Sequence, residues 1–228
     1  MHSPTMMTLS SQHVEQALHC GRTAQPAEIL SQLTLWITGS QGYLASNGVA
    51  LYSLQPPLPL LQGDGSAVAD TALTTLADDR LLNYLGLAVA QVATSQPGTP
   101  QQSLLVAALR LGLAAKILDM SYTHLNQRQS FGQKTTRHQL IKASFSEIYA
   151  DITQLKFQLI LRLEEGDFTG LEQEHYAITQ LTNKAEKLMG GHGFLLGNSH
   201  TLSHFSMLLY SASGKTGNDT WHQPAPVM

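Results

Sequence analysis

The chain of 228 residues contains a single cysteine, Cys20, and this scarcity narrows the classes of protein to consider. One cysteine cannot form an intrachain disulfide and cannot supply the ligand set of a cysteine-based metal site. Proteins without disulfides are typical of reducing compartments. We therefore expect a cytoplasmic protein with no metal site and with a fold held by its apolar core.

A strong charge bias and a long uncharged apolar run are also missing. The formal net charge is −3 and no Lys/Arg-rich run occurs, so we expect no nucleic-acid partner. Residues 1–12 lack the basic start and apolar stretch of a signal peptide. The most apolar long segment, residues 104–120, is interrupted by Arg110, Lys116 and Asp119. Because it is too short and too charged to cross a bilayer, we also expect no membrane partner.

The breaker cluster Pro97-Gly98-Thr99-Pro100 divides the chain into two parts of different character. The first part is irregular, and its apolar patterns are short. They predict a short helix over 14–19 that ends at Gly21, an element of either helical or strand type over 27–37, and strands over 49–54 and 81–92.

The second part has helical periodicity. Apolar residues of its first segment recur at helical spacing, namely at Leu104, Ala107, Ala108, Leu111, Ala114, Ala115, Leu118 and Tyr122. The predicted helices cover about 101–127, 138–163, 171–189 and 201–210. The fold class is therefore mainly α. We expect a four-helix bundle over 98–214, a small β region over 1–97, and a loose tail over 215–228.

Two short patches contain residue types suited to ligand binding. The first is Arg128-Gln129-Ser130-Phe131-Gly132, followed by Gln139; the second is Gly190-Gly191-His192-Gly193-Phe194. A guanidinium where a helix ends can meet phosphate oxygens bidentately. Phe131 offers a flat apolar face, and the glycines allow a ligand to approach the backbone closely. Without further support, Arg128 is most simply a solvated residue and Gly190-Gly191 a helix cap.

In this order and on helices of these lengths, the patches resemble the C-terminal domain of acyl-CoA dehydrogenases. Ala107-Ala108, Leu118-Asp119 and Tyr122 on the preceding helix agree with the resemblance. In that family the corresponding patches contact the adenine and pyrophosphate end of an FAD that is held mostly by a neighbouring subunit. The resemblance thus implies that FAD is the cofactor and an acyl thioester the substrate. The implied cofactor-binding residues are Arg128, Phe131, Gln139, Lys187, Gly190 and Gly191, with Lys187 standing where the family often has a glutamine.

The chain also departs from the family pattern. Residues 45–95 are similar only to the last strands of the family's β domain, and the N-terminal helical domain is expected to be missing. The general base of the family, a glutamate, corresponds to a position near Gly214 in most members and to Gln102 in others. Neither residue can accept a proton at neutral pH, so the catalytic residue is unknown. The two patches that remain are those with which one subunit contacts the FAD of its neighbour. This favours a hetero-oligomer with a fuller acyl-CoA dehydrogenase-like chain, or a homo-oligomer.

Two other functions stay open at this point. The chain could be a scaffold or regulatory subunit without a flavin role, or a stand-alone enzyme with an unrecognised base such as Glu147 or His192. The pairs Glu172/His175 and His200/His204 have metal-ligand spacing, but each lacks further ligands. We expect Glu172 and His175 to be a surface pair, and His200 and His204 to be core or surface histidines. Nothing near Cys20 in the sequence supports a nucleophile.

Overall fold

The computed structural model describes residues 9–69, 73–75 and 79–216. The predicted tail lies outside this part from residue 217 onward, as do residues 1–8. The described helices are α1 (Ser11–Thr23), α2 (Pro26–Thr38), α3 (Arg80–Leu85), α4 (Pro100–Asn126), α5 (Gln139–Glu165), α6 (Leu171–Lys187) and α7 (Ser199–Leu209). The described strands are β1 (Tyr43–Ser46), β2 (Val49–Ser53), β3 (Leu60–Leu61), β4 (Leu73–Thr75), β5 (Leu87–Val92), β6 (Gln129–Ser130) and β7 (Gln133–Lys134).

Helix α4 is the centre of the molecule. It starts with Pro100 at its first position, and the Thr99 side chain accepts a hydrogen bond from the Gln102 backbone N–H. Every residue from 102 to 115 is buried, because helices α1, α5, α6 and α7 surround it. The predicted mainly α fold, a bundle preceded by a small β region, is confirmed.

Glycine ends α5 as the sequence predicts. Gly166 is left-handed, with φ 67°, and its backbone N–H donates to the carbonyls of Arg162 and Leu163. Only one face of α5 is buried, through Ile148, Ile152, Leu155 and Leu159. The helix therefore lies on the outside of the bundle.

The N-terminal helices decide one open alternative and correct one expectation. The segment 27–37 lies in helix α2, which has Pro26 at its first turn and a left-handed Gly39, φ 72°, at its end. Helix α1 does not end at Gly21 but continues to Thr23. Gly21 is buried in its last turn, because α1 crosses α4 there at close range. In this position glycine allows helix packing rather than helix termination.

A five-stranded sheet connects the N-terminal helices to the bundle, with strand order β3-β1-β2-β5-β4. The β1–β3 pair is parallel and the other pairs are antiparallel. Asn47 and Gly48 form the two-residue turn between β1 and β2, both with positive φ, which is a strong hairpin signal that our sequence analysis missed.

The strand predicted over 81–92 is only half correct, since β5 begins at Leu87. The preceding residues form α3, which is capped by the Asp79 carboxylate and ended by a left-handed Gly86. Within the described residues, no helix is both long enough and apolar enough to cross a membrane.

Candidate functional site

The first patch forms a small hairpin directly after α4. Ser130 pairs with Gln133, and the turn residues Phe131 and Gly132 both have positive φ, 50° and 77°. Phe131 is 97% exposed, and its ring is nearly perpendicular to the His138 ring, with the centroids 6.2 Å apart. A non-glycine residue in this conformation is strained, and a phenylalanine this exposed contributes little to the core. The hairpin therefore presents a flat apolar ring to whatever approaches this end of the bundle.

The second patch is a short 3₁₀ turn, Gly190–Phe194, that follows α6. Gly190 is left-handed, with φ 56°. No atom lies within 4 Å of the place where a Cβ would stand on Gly190 or Gly191, so the backbone here faces open space. Gly193, in contrast, is packed so tightly against Ser199 and Met189 that a Cβ would collide with both. The turn is thus fixed on one side and open on the other.

The structure brings the two patches together. The rings of His124, in the last turn of α4, and His192, in the 3₁₀ turn, stack with centroids 4.4 Å apart and planes 10° from parallel. Arg128 Nη1 lies 3.2 Å from His124 Nε2. Arg128, His124 and His192 thus form a continuous row, which we call the histidine joint. Sequence spacing alone could not show it, because the two rings come from segments far apart in the chain.

The other predicted site residues flank this end of the bundle. Gln139 is the first residue of α5 and Lys187 is the last residue of α6. Both are exposed, and neither side chain hydrogen-bonds to another described residue. Among the described residues, no hydrogen bond or ion pair joins either of them to Arg128, His124 or His192.

Gln102 and Gly214, the two positions where the resemblance would place the family's base, lie close together near the start of α4. Gln102 Nε2 donates to the carbonyl of Ser213 at 2.7 Å and to Ser46 Oγ at 3.1 Å. The adjacent Ser103 hydroxyl donates to the carbonyl of Gly214 at 2.6 Å. Gln102 is 2% exposed. This region is therefore closed by side-chain hydrogen bonds, and neither Gln102 nor Ser103 carries a carboxylate.

A buried arginine is the largest feature that the sequence analysis missed. Arg110 is 1% exposed, and burial lowers the pKa of its guanidinium to about 10. It donates to His175 Nδ1 at 2.9 Å, Thr179 Oγ1 at 2.7 Å and Ser206 Oγ at 3.1 Å, and lies 5.0 Å from the centre of the Tyr210 ring. A lone arginine in the middle of an apolar helix is the sequence signal that could have predicted this buried group.

The same contacts fix the protonation of His175. Because a guanidinium only donates, Nδ1 must accept, and Nε2–H then faces Ser103 Oγ at 3.0 Å. Burial, and then the charge of Arg110, lowers the pKa of His175 to about 3. The ring is therefore a neutral link in a chain from Arg110 through Ser103 to the Gly214 carbonyl. Our expectation of a surface pair with Glu172 was wrong for His175, which is 2% exposed.

The remaining candidates do not form a further site among the described residues. His200 Nδ1 lies 2.8 Å from Glu186 Oε1, and His204 is exposed. The described residues contain no group of three or more His, Cys, Asp or Glu that could hold a metal. Burial, and then the charge of Glu28, raises the pKa of the Cys20 thiol to about 11, so little of the reactive thiolate forms at neutral pH. Glu147 is exposed on α5.

Residues 96–167 match the family model described as "Acyl-CoA dehydrogenase, C-terminal domain". The match includes the first patch and Gln139 and ends before the second patch. It confirms the resemblance inferred from the sequence. A search of curated proteins finds no significant match to the chain.

Solved structures share the fold. Butyryl-CoA dehydrogenase from Megasphaera elsdenii superposes with a TM-score of 0.58 at 11% identity, over 88% of this chain and 78% of that chain. An acyl-CoA dehydrogenase from Slackia heliotrinireducens gives 0.58 at 12% identity, over 90% and 77%. The ChsE4-ChsE5 complex from Mycobacterium tuberculosis gives 0.55 at 14% identity, over 88% and 76%. At these identities the likeness concerns the fold alone.

Proposed function

We propose that this chain is a subunit of an acyl-CoA dehydrogenase-like flavoprotein and that it completes an FAD site whose flavin ring and catalytic base are supplied by a fuller partner chain. Its contribution is the end of the bundle that carries the histidine joint. Arg128 would hold the pyrophosphate, Phe131 would lie against the adenine, and Gly190 and Gly191 would let the cofactor approach the backbone. The assembly would oxidise an acyl thioester between its α and β carbons.

The observation that carries this proposal is that His124 links the two patches, since Arg128 of the first patch donates to its ring and His192 of the second stacks on it. The patches are separate in the sequence, and each alone has a simpler explanation. The His124–His192 stack brings them together at one end of the molecule. A shared ligand site requires this arrangement, whereas a solvated arginine and a helix cap do not.

The residues present fit the adenine and pyrophosphate end of FAD. The Arg128 side chain is exposed, and among the described residues it makes one hydrogen bond, to His124. Its remaining N–H groups are therefore available for phosphate oxygens. The open space beside Gly190 and Gly191 would admit a ligand without displacing a side chain. Gln139 and Lys187 add an amide and a positive charge on either side of this end.

A partner chain is proposed because the base positions here contain no carboxylate. Gln102 and Ser103 instead use their polar groups to hold the chain at Ser213 and Gly214. One structure with this fold is a complex of two named chains, ChsE4 and ChsE5, and this supports an assembly of unlike subunits by analogy only. The same closed region favours a second candidate, in which the chain is an inactive scaffold or regulatory subunit.

An absorption spectrum separates these candidates. The protein is purified alone and co-expressed with any dehydrogenase-like chain encoded beside it. Flavin bands that appear only in the copurified complex support the shared site. Flavin on this chain alone would contradict the need for a partner, and a complex without flavin would favour the scaffold.

The Arg128→Ala variant tests the site itself. Loss of a charge-assisted hydrogen bond, about 1.5–3 kcal/mol, is expected to weaken flavin retention by the complex roughly ten- to a hundredfold. Lys142→Ala, which removes one positive charge from an exposed position of α5, is the matched control. Equal flavin occupancy in the Arg128→Ala and Lys142→Ala complexes would contradict the proposal.

A further inference from the structure

In the histidine joint, the hydrogen bond between Arg128 and His124 can have only one direction. Arg128 Nη1 lies 3.2 Å from His124 Nε2. A guanidinium donates hydrogen bonds and cannot accept them. His124 Nε2 must therefore carry its lone pair, so that the ring is neutral and its proton is on Nδ1.

The surroundings of His124 favour this neutral form. The titratable groups that face its ring are Arg128, four residues further along the chain, and His192 from the 3₁₀ turn. Burial, and then the charges of His192 and Arg128, lowers the pKa of His124. The acceptor is thus present at neutral pH.

His192 keeps the ring of His124 in place. The two imidazoles are nearly parallel, so rotation of His124 about its side chain would break the stack. His192 itself is exposed, but its neighbour Gly193 is fixed against Ser199 and Met189. The stack consequently ties the orientation of His124 to the core through a rigid turn.

We propose that His124 is a positioning residue, which uses its stacked, neutral imidazole to hold the Arg128 guanidinium at the junction of the two patches. Without this acceptor, Arg128 would be a long exposed side chain at the end of a helix and would lose rotamer freedom on every binding event. With it, the guanidinium is ordered in advance. The inference rests on the proposed cofactor site, because its benefit is the binding of a pyrophosphate.

Nitrogen NMR of the full chain tests the hydrogen bond directly. In the wild type at neutral pH, His124 is expected as the Nδ1–H tautomer, which is the minor form of free histidine. In Arg128→Met the ring should return to the Nε2–H form. A wild-type His124 that is protonated on Nε2 would overturn the proposal regardless of any ligand.

Titration with ADP, which carries an adenine and a pyrophosphate, tests the consequence. His124→Phe keeps a flat ring for the stack but removes the acceptor, and is expected to weaken ADP binding about three- to tenfold. His124→Gln places an amide oxygen near the position of Nε2 but loses the stack on His192, so it should recover part of the affinity that His124→Phe loses. His19→Phe, at an exposed position of α1, is the control for substituting a surface histidine.

The variants distinguish failure of the positioning role from failure of the cofactor site. If Arg128→Met weakens ADP binding but His124→Phe does not, or if His124→Gln binds ADP no better than His124→Phe, the positioning role is wrong and the cofactor site stands. If Arg128→Met binds ADP as well as the wild type, or if the wild type shows no ADP-dependent shift of the His124 and His192 signals, the cofactor site fails and the positioning role fails with it.

Discussion

Gly21 of α1 and Gly112 of α4 face each other at the point where the two helices cross. A Cβ on Gly21 would collide with the carbonyl oxygen of Leu109, and a Cβ on Gly112 would collide with that of Leu18. In both cases the obstacle is backbone, which cannot rotate away as a side chain can. This crossing is the most extensive helix–helix contact in the described structure.

Gly112→Ala is therefore expected to destabilise the protein by about 1–3 kcal/mol, the usual cost of overpacking. Glycine to alanine in an ordinary helix interior has the opposite sign, a gain of about 1 kcal/mol. Urea unfolding of the variant measures the sign. Gln158→Ala, at an exposed position of α5, is the control and should change stability little. A stabilised Gly112→Ala protein would show that the helices can separate without cost.

His175 predicts a loss of stability in acid. The group titrates near its usual 6.5 in the unfolded chain and near 3 in the folded protein. Between these pH values the unfolded state binds more protons, so stability falls as pH falls from 6.5 toward 3, by about 1.4 kcal/mol for each unit of pKa difference. Above 6.5 this penalty is absent.

His175→Asn isolates that contribution, since the amide oxygen keeps an acceptor for Arg110 but does not titrate. Unfolding free energies at pH 7, 5 and 4 should decline less steeply for the variant than for the wild type. Parallel pH profiles would mean that His175 does not lose its proton on folding and that the Arg110–His175 hydrogen bond is wrongly assigned.

At the tip of the β6–β7 hairpin, Phe131 is expected to favour ligand binding at the expense of stability. Phe131 is in the left-handed region and almost fully exposed, and Asn-Gly is the preferred dipeptide for such a turn. Phe131→Asn is therefore expected to stabilise the protein by up to about 1 kcal/mol while weakening its binding to ADP. Thermal unfolding and ADP titration measure the two effects on the same samples. A destabilised variant would show that the ring supports the fold rather than a ligand.

Gln102 tests whether the closed region tolerates a base. Gln102→Glu replaces a donor with an acceptor opposite the Ser213 carbonyl and is expected to cost at least about 2 kcal/mol at pH 7. Burial would raise the pKa of the new carboxyl, so the loss should shrink as pH falls and the acid becomes protonated. Gln102→Met, which removes both hydrogen bonds without adding a titrating group, is the control. A pH-independent loss in Gln102→Glu would show that the new side chain reaches solvent.

The bundle was predictable because its helices have clear apolar periodicity and recognisable ends, such as Pro100 and Gly166. Segments in which one residue is compatible with two structural roles were not predictable. Gly21 could end a helix or let two helices touch, and only the partner on α4 decides. The α3–β5 boundary was missed although Asp79 and Gly86 are ordinary capping signals. The His124–His192 stack and the Arg110 contacts join distant segments, so periodicity carries no information about them.

The last described residues show how the bundle and the sheet are joined. The carbonyls of Ser213, Gly214 and Lys215 each accept a hydrogen bond from a side chain, donated by Gln102, Ser103 and Asn47 respectively. Three successive peptide groups are thus hydrogen-bonded to the start of α4 and to the β1–β2 turn. A force applied to the chain at Thr216 would therefore act on the sheet and on α4 at the same time, and α7 would not separate from the bundle on its own.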